Sequence, residues 1–378
     1  MRGFLPITNP LRTLPAEYYP IEELQKTLPE LFGTNHLRPY LKKFPEIKTD
    51  FSRLACPVTV AIAKNCLFAA SAFIHNHNQP AATHLPRNLA RLIVGACDYL
   101  QVPPILSYNF YCLNNWYFIN QEDDFNPDNL HIIQGFIPDD CENWFIVIHV
   151  SIEHCAGAGL TAFVEAQKAI ARDEIAVTKD KLLVVVNSLE KMIKTLRRMP
   201  EHCRPEDYYH RVRPQIQGFN NVVYGGVKKF GGKPQSFRGE TGAQSSIIPA
   251  FIRFLGIKHQ ASQLTQHLDD MLNYMPPAHR AFEGSSIIRD YIIKKLPEDF
   301  WEENCGWLWR YQPSGKKIQQ IKEAYNDCLK LIHEFRKIHL GYAISYIQEK
   351  TGDRTGTGGT PYVPWLTQMK DETLNFLL

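Results

Sequence analysis

Two histidines stand out for the residues that accompany them. His339 recurs with Phe335, Tyr342 and Ala343 at helical spacing, so its imidazole shares an apolar helix face. A histidine so placed is either a core residue satisfied by a backbone or hydroxyl partner, or a ligand to haem iron. A neutral imidazole held rigidly among apolar side chains suits the second role. His333, by contrast, falls toward Lys330 and Lys337 and reads as a surface residue. His149 lies on a second apolar face with Phe145, Ile152, Ala156 and Phe163. With Glu153 it makes an i,i+4 pair that could reach a non-haem metal, a weak signal on spacing alone; a core hydrogen bond is the alternative. The third feature is the stretch RTGTGGT at 354–360. It lacks the Lys-Ser/Thr end of a phosphate-binding loop and the strand and spacing of a dinucleotide site. It is either a flexible tail or a loop that closes over a polar ligand, offering backbone N–H and hydroxyl donors.

The elements that must hold these residues are helices. A pattern over 321–350, stopped by Gly352, carries Ala324, Cys328, Leu331, Ile332, Phe335, Ile338, Tyr342 and Tyr346 as its stripe. A second long helix is expected at 143–172; its Ala-Gly-Ala-Gly run at 156–159 weakens the helix but admits a second backbone or a flat ligand. A third is expected at 178–199, with Thr178 as N-cap and Leu182, Val185, Leu189, Met192 and Leu196 facing the core. Shorter helices are expected at 21–28, 57–75 and 86–100, and a glycine-rich, mobile stretch at 225–242. Strand alternation is nowhere sustained, which predicts an all-α fold. The acidic, Pro/Asn-rich segment at 117–141 reads as a crossing between a small N-terminal helical domain (1–116) and a large helical domain (142–378).

Composition narrows the function. The 378 residues carry a formal net charge of +3, with 44% hydrophobic and 21% charged residues. Near-neutral charge argues against a nucleic-acid partner; the densest basic run, KTLRR at 194–198, reads as a solvated helix face. Nine cysteines without a Cys-x-x-Cys pair argue against a structural zinc and a disulfide framework. The start, MRGFLPITNPLRTLP, has prolines where a signal peptide needs an apolar core, and the apolar stretch at 56–73 is broken by Lys64 and Asn65. A cytoplasmic protein without a membrane span is the expectation.

Several segments together resemble the indoleamine/tryptophan 2,3-dioxygenase superfamily, and the indoleamine 2,3-dioxygenase family most of all. They are HLPRNLA (84–90), VPPILSY (102–108) with Asn115-Trp116, TGAQSS (241–246), YMPPAHR (274–280), RKIH (336–339) and GTGGT (356–360). The order and approximate spacing are those of the family, and it is the ordered set that is specific. The resemblance implies a two-domain, all-α protein holding haem b, which uses O2 as co-substrate and inserts both oxygen atoms across the indole C2–C3 bond of tryptophan. It makes His339 the axial ligand of the haem iron and Arg213 the partner of the substrate carboxylate. Tyr208, Tyr209, Phe145 and Tyr108 become pocket residues, Thr241 lies near the haem, and Thr357 belongs to the closing loop.

Departures from the family pattern bear on the substrate. His149 stands where indoleamine dioxygenases carry a distal serine and where tryptophan dioxygenases are known for a histidine. It is therefore the candidate catalytic residue, bonding either the indole N–H or the oxygen. Tyr208 and Tyr209 replace phenylalanines, and Glu240-Thr241 replaces Gly-Ser, which predicts a more polar pocket with a charge beside the haem. Arg336 matches an arginine on the ligand side, but Ile252 replaces the aspartate that would pair with it. Two rivals stay open. One is a rearrangement of a modified tryptophan, as in an enzyme of pyrrolnitrin biosynthesis in the same superfamily. The other is a haem sensor or carrier without turnover, against which Arg213 and the GTGGT loop weigh.

Overall fold

In a computed structural model, residues 2–77, 79–282, 287–296, 313–351, 356 and 361–378 are described. Helices dominate, as the absence of alternating strands predicts. The labelled ones are α1 (Tyr19–Leu31), α2 (Cys56–Ile74), α3 (Arg87–Leu100), α4 (Asp140–Ala171), α5 (Ile175–Leu196), α6 (Ile247–Leu255), α7 (Pro313–Ala343) and α8 (Tyr362–Leu374). Strands are short: β1 (His84–Leu85), β2 (Trp116–Phe118), β3 (Leu130–Ile132), β4 (Phe219–Tyr224) and β5 (Gln235–Phe237). β4 lies between β1, parallel, and β5, antiparallel, while β2 and β3 pair antiparallel. The 117–141 segment thus contributes to a small hairpin, and the glycine-rich 225–242 stretch includes an edge strand.

α2 is apolar on every side, and fifteen of its residues are buried, Lys64 among them. Burial pushes the Lys64 ammonium down to about 7. α2 and α4 are long and apolar enough to cross a membrane, yet 83% and 67% of their apolar windows are buried within the fold, which is the behaviour of core helices. One buried apolar cluster extends from Phe4 to Tyr346.

α4 begins where the Asp139 side chain accepts from the Cys141 N–H. Its small-residue run admits chain rather than a flat ligand. A Cβ on Gly159 would lie 2.8 Å from Ser188 Oγ of α5 and 3.0 Å from the Phe251 ring of α6. α5 starts earlier than the sequence pattern predicts. Thr178 is inside the helix, its hydroxyl bonded back to the Glu174 carbonyl at 3.0 Å, and Glu174 is the capping position. α5 packs against α4 and α7, and α7 against α8. α7 is described from Pro313 onward.

Among the described residues, three π-helical turns interrupt or follow helical segments, at Asn109–Leu113, Tyr208–Val212 and Ile344–Gln348. The first follows Tyr108, the second contains Tyr208 and Tyr209 and leads into Arg213, and the third continues the helix of His339. Such turns re-aim side chains off the regular helical rows.

Candidate active site

The centre of the site is set by α4 and α7. From Ile146 to Ile152 every α4 residue is buried except His149, which with Phe145 one turn earlier keeps an open face. The His149 Nδ1 lies 2.7 Å from the Phe145 carbonyl oxygen. A carbonyl only accepts, so Nδ1 carries the proton and Nε2 is left as an acceptor. Burial lowers the His149 pKa, so the ring is neutral at pH 7.

His339 on α7 combines two properties. It keeps exposed surface, and burial, then the neighbouring His149 and Arg336, push its pKa down to about 4. A run of aromatic contacts connects the His149 face to the helical segment that carries His339.

Around this pair the other side chains close in. The Phe145 ring is 4.5 Å from His149 and 5.0 Å from Tyr208 between centroids, and Tyr108 meets His149 edge-on at 5.9 Å. Tyr208 in turn contacts Tyr346 beyond His339 on the same chain segment, at 5.9 Å. The Arg213 guanidinium is buried and lies over the half-buried Tyr209 ring at 5.4 Å. Gly239 permits a close backbone approach, since a Cβ there would lie 2.3 Å from the Ile216 carbonyl oxygen. That approach sets Glu240, bonded through its N–H to Ile216 at 2.9 Å, beside the Arg213 segment. Glu240 is 3% exposed, and burial pushes its carboxyl up to about 8, so the group is protonated and uncharged at pH 7, where the sequence pattern predicts a charge.

Thr241 is half-buried and caps the turn Gly242–Gln244 through its hydroxyl. That turn ties the segment to the pocket: Gln244 Oε1 accepts from the Tyr108 N–H at 2.9 Å, and the Ser245 hydroxyl donates to Glu153 Oε1 at 2.7 Å. Glu153 also accepts from the Tyr108 hydroxyl at 3.0 Å, while its Oε2 is buried without a hydrogen bond. Glu153 is thus turned to Tyr108 and Ser245 rather than paired with His149, and among the described residues no group of three or more His, Cys, Asp or Glu could hold a metal ion. Thr357 and most of the GTGGT loop lie outside the described residues.

Arg336 corrects the expectation of an arginine lacking its partner. Its Nη1 donates to the Met369 carbonyl and the Thr373 hydroxyl, both at 2.6 Å, and its Nη2 to His259 Nε2 at 3.2 Å. His259 Nδ1 then bonds Glu372 Oε2 at 2.6 Å. Burial and the Arg336 charge hold His259 below its ordinary pKa, which suits a neutral ring donating to Glu372 and accepting from Arg336. A carboxylate from α8 replaces the aspartate missing at Ile252. His333 is likewise half-buried, bonded through Nδ1 to the Lys370 carbonyl at 3.0 Å, because α8 packs on the face that its lysine neighbours marked as solvent.

The sequence model of the family described as indoleamine 2,3-dioxygenase matches residues 1–376. The chain belongs to the indoleamine 2,3-dioxygenase family. It is 28% identical over 404 residues to indoleamine 2,3-dioxygenase 1 of Mus musculus, covering 98% of this chain and 92% of that one. It is also 28% identical to an indoleamine 2,3-dioxygenase of Aspergillus nanangensis, over 99% of this chain and 94% of the other. A 6-hydroxytryptophan 2,3-dioxygenase of Fusarium equiseti is 27% identical over 99% of this chain and 95% of its own length. Membership makes the protein a haem-dependent dioxygenase, an oxidoreductase that uses O2, in a family acting on indole or tryptophan substrates. The residues present fit haem: a neutral imidazole on a rigid helix, a second neutral imidazole on α4, and aromatic rings in contact from one helix to the other.

Proposed function

We propose that the protein holds haem b through His339 and cleaves the indole C2–C3 bond of tryptophan or a ring-substituted tryptophan, giving an N-formylkynurenine-type product. When bound, the haem iron supplies the O2 chemistry. His339 serves as ligand because its imidazole is uncharged at neutral pH and is borne on α7, which Arg336 ties to α8. Arg213 pairs with the substrate carboxylate, and its planar fork both binds and orients that group. Thr241 and Thr357 serve the amino-acid end. Phe145 and Tyr208, 5.0 Å apart, pack the indole ring, with Tyr108 and Tyr209 at its margins.

His149 accepts a hydrogen bond from the indole N–H. With Nδ1–H committed to the Phe145 carbonyl, the neutral ring offers an acceptor and no second donor, which disfavours the alternative of donating to oxygen. A ring-substituted substrate is favoured by the polar additions at this wall: the Tyr208 hydroxyl and the buried Glu240 carboxyl. The pocket draws on both sides of the 117–141 crossing, with Tyr108 from the 1–116 domain and the remaining residues from the 142–378 domain. A cytoplasmic location and no nucleic-acid or membrane partner complete the proposal.

The observation that carries it is the unbroken run of ring contacts from His149 through Phe145 and Tyr208 to Tyr346, on the segment that continues the helix of His339. The test is the ferrous protein with O2 and tryptophan, then 6-hydroxytryptophan, watched for absorbance of the formylkynurenine product. Absence of turnover with either, despite stoichiometric haem, would favour the sensor or carrier reading.

A further inference from the structure

The Sγ atoms of Cys141 and Cys203 are 2.7 Å apart. That is well inside the contact distance of two non-bonded sulfurs and within about 0.7 Å of a disulfide bond length. Both residues are buried, at 1% and 0% exposure. The approach is held from both sides. Asp139 caps the turn that carries Cys141, and Trp144 in the next turn of α4 donates through Nε1 to the Arg198 carbonyl at 2.9 Å and meets the His202 ring at 4.5 Å. The Tyr346 hydroxyl donates to the Cys203 carbonyl at 2.6 Å. The two thiols are therefore brought together by backbone that other contacts fix, across 62 residues of sequence.

A polar cleft of about 510 Å³ lies beside the pair, lined by Asp139, Asp140, Glu201, His202, Arg204 and Arg211 among others. Asp140, which precedes Cys141, and His202 and Arg204, which flank Cys203, belong to that lining. The cleft wall carries Asp139, Asp140, Glu201 and Asp207 beside Arg204 and Arg211, so a small disulfide of the glutathione type, bearing ammonium and carboxylate groups, meets both signs of charge there.

We propose that Cys141 and Cys203 are an oxidation site, forming a reversible disulfide by exchange with a low-molecular-weight disulfide that enters through this cleft. One sulfur of the pair attacks the small disulfide and breaks its S–S bond, releasing one small thiol and leaving a mixed disulfide. The second sulfur then attacks the protein sulfur of that mixed disulfide, forming the Cys141–Cys203 bond and releasing the second small thiol. Two electrons pass from the pair to the small disulfide, and the two thiol protons leave with the two released thiols. The bond joins the first turn of α4, one turn before Phe145 and two before His149, to the turn that precedes Tyr208. It locks the two walls of the pocket to each other. In a reducing compartment such a bond is a transient redox mark.

The experiment uses the full-length protein, treated with oxidised glutathione, denatured, alkylated and mapped by peptide mass. The expected result is a linked pair of peptides containing Cys141 and Cys203, two hydrogens lighter than their sum, and the loss of two alkylatable thiols that a phosphine reductant restores. The midpoint of thermal unfolding should rise by several degrees on oxidation of the wild type and stay fixed in Cys203→Ser. Two outcomes would overturn the proposal. One is full alkylation of both cysteines after oxidation; the other is accumulation of glutathione on either cysteine without the cross-link. Both are read on the wild type, so a Cys203→Ser variant that fails to fold leaves the test intact.

Discussion

The buried Glu153 makes a quantitative test of the wall behind His149. Its carboxyl is pushed from its ordinary 4.5 up to about 7 by burial, against the opposing effect of the Ser245 and Tyr108 hydrogen bonds. Between those two values the folded state keeps a proton that the unfolded chain has lost. The group therefore costs nothing below about pH 4.5, costs progressively more as pH rises through the window, and reaches its full penalty of about 3 kcal/mol above it. Glu153→Gln removes that titration. The amide oxygen can still accept from Tyr108 and Ser245, whereas its NH2 takes the place of Oε2, which has no hydrogen-bond partner. At pH 5 the wild type buries an unpartnered O–H at the same place, so the two proteins differ little there. The variant should accordingly come within about 1 kcal/mol of the wild type at pH 5 and gain on it at pH 8, a relative swing of about 2–3 kcal/mol. Urea unfolding of both proteins at the two pH values measures it, with every other titrating group cancelling between them. A difference that stays constant from pH 5 to pH 8 would refute a neutral, buried Glu153.

Arg213→Ala should weaken binding of an amino-acid substrate about 30- to 1000-fold, the loss of one charge-assisted bidentate contact of about 2–4 kcal/mol. Calorimetry with tryptophan and with an indole lacking the carboxylate separates this from a structural role, which would weaken both equally. His149→Ser should leave haem content unchanged; in ligand titrations, 1-methyltryptophan should bind worse than tryptophan to the wild type and no worse to the variant. A preference against the methylated ligand that persists in the variant would remove the N–H contact. Arg336→Met should destabilise the fold by about 3–5 kcal/mol, because a buried charge relay loses its centre. Hydrogen exchange of the α8 amides should then accelerate, and unchanged protection at 369–373 would show that α8 does not depend on Arg336.

The helices were legible because apolar spacing is local: α2, α3, α4, α5 and α7 lie close to where their stripes predict. Their ends were less so. Thr178 has the chemistry of a cap but sits one turn inside α5, and the periodicity at 321–350 contains no sign of the π-helical turn at Ile344–Gln348. His149, Phe145 and His339 could be singled out from helical faces, and the ordered family segments added Arg213, Tyr208 and Thr241. Contacts between distant segments left no such trace. Glu372 is 113 residues from the histidine it bonds, and nothing around either residue announces the pair. Glu153 was visible as a neighbour of His149 at helical spacing, yet Tyr108 and Ser245, 45 and 92 residues away, decide which way its carboxylate turns. The same holds for Cys141 and Cys203, which an inspection of cysteine spacing passes over because proximity is created by folding.

The central claim is that His339 is the haem ligand, and haem titration of the wild type and His339→Ala tests it most directly. The wild type should take up one haem per chain with a histidine-ligated Soret spectrum, and the variant should lose stoichiometric uptake or change to a different ligation state while retaining its helical circular dichroism. Equal haem content and an unchanged Soret spectrum in the variant would contradict the account.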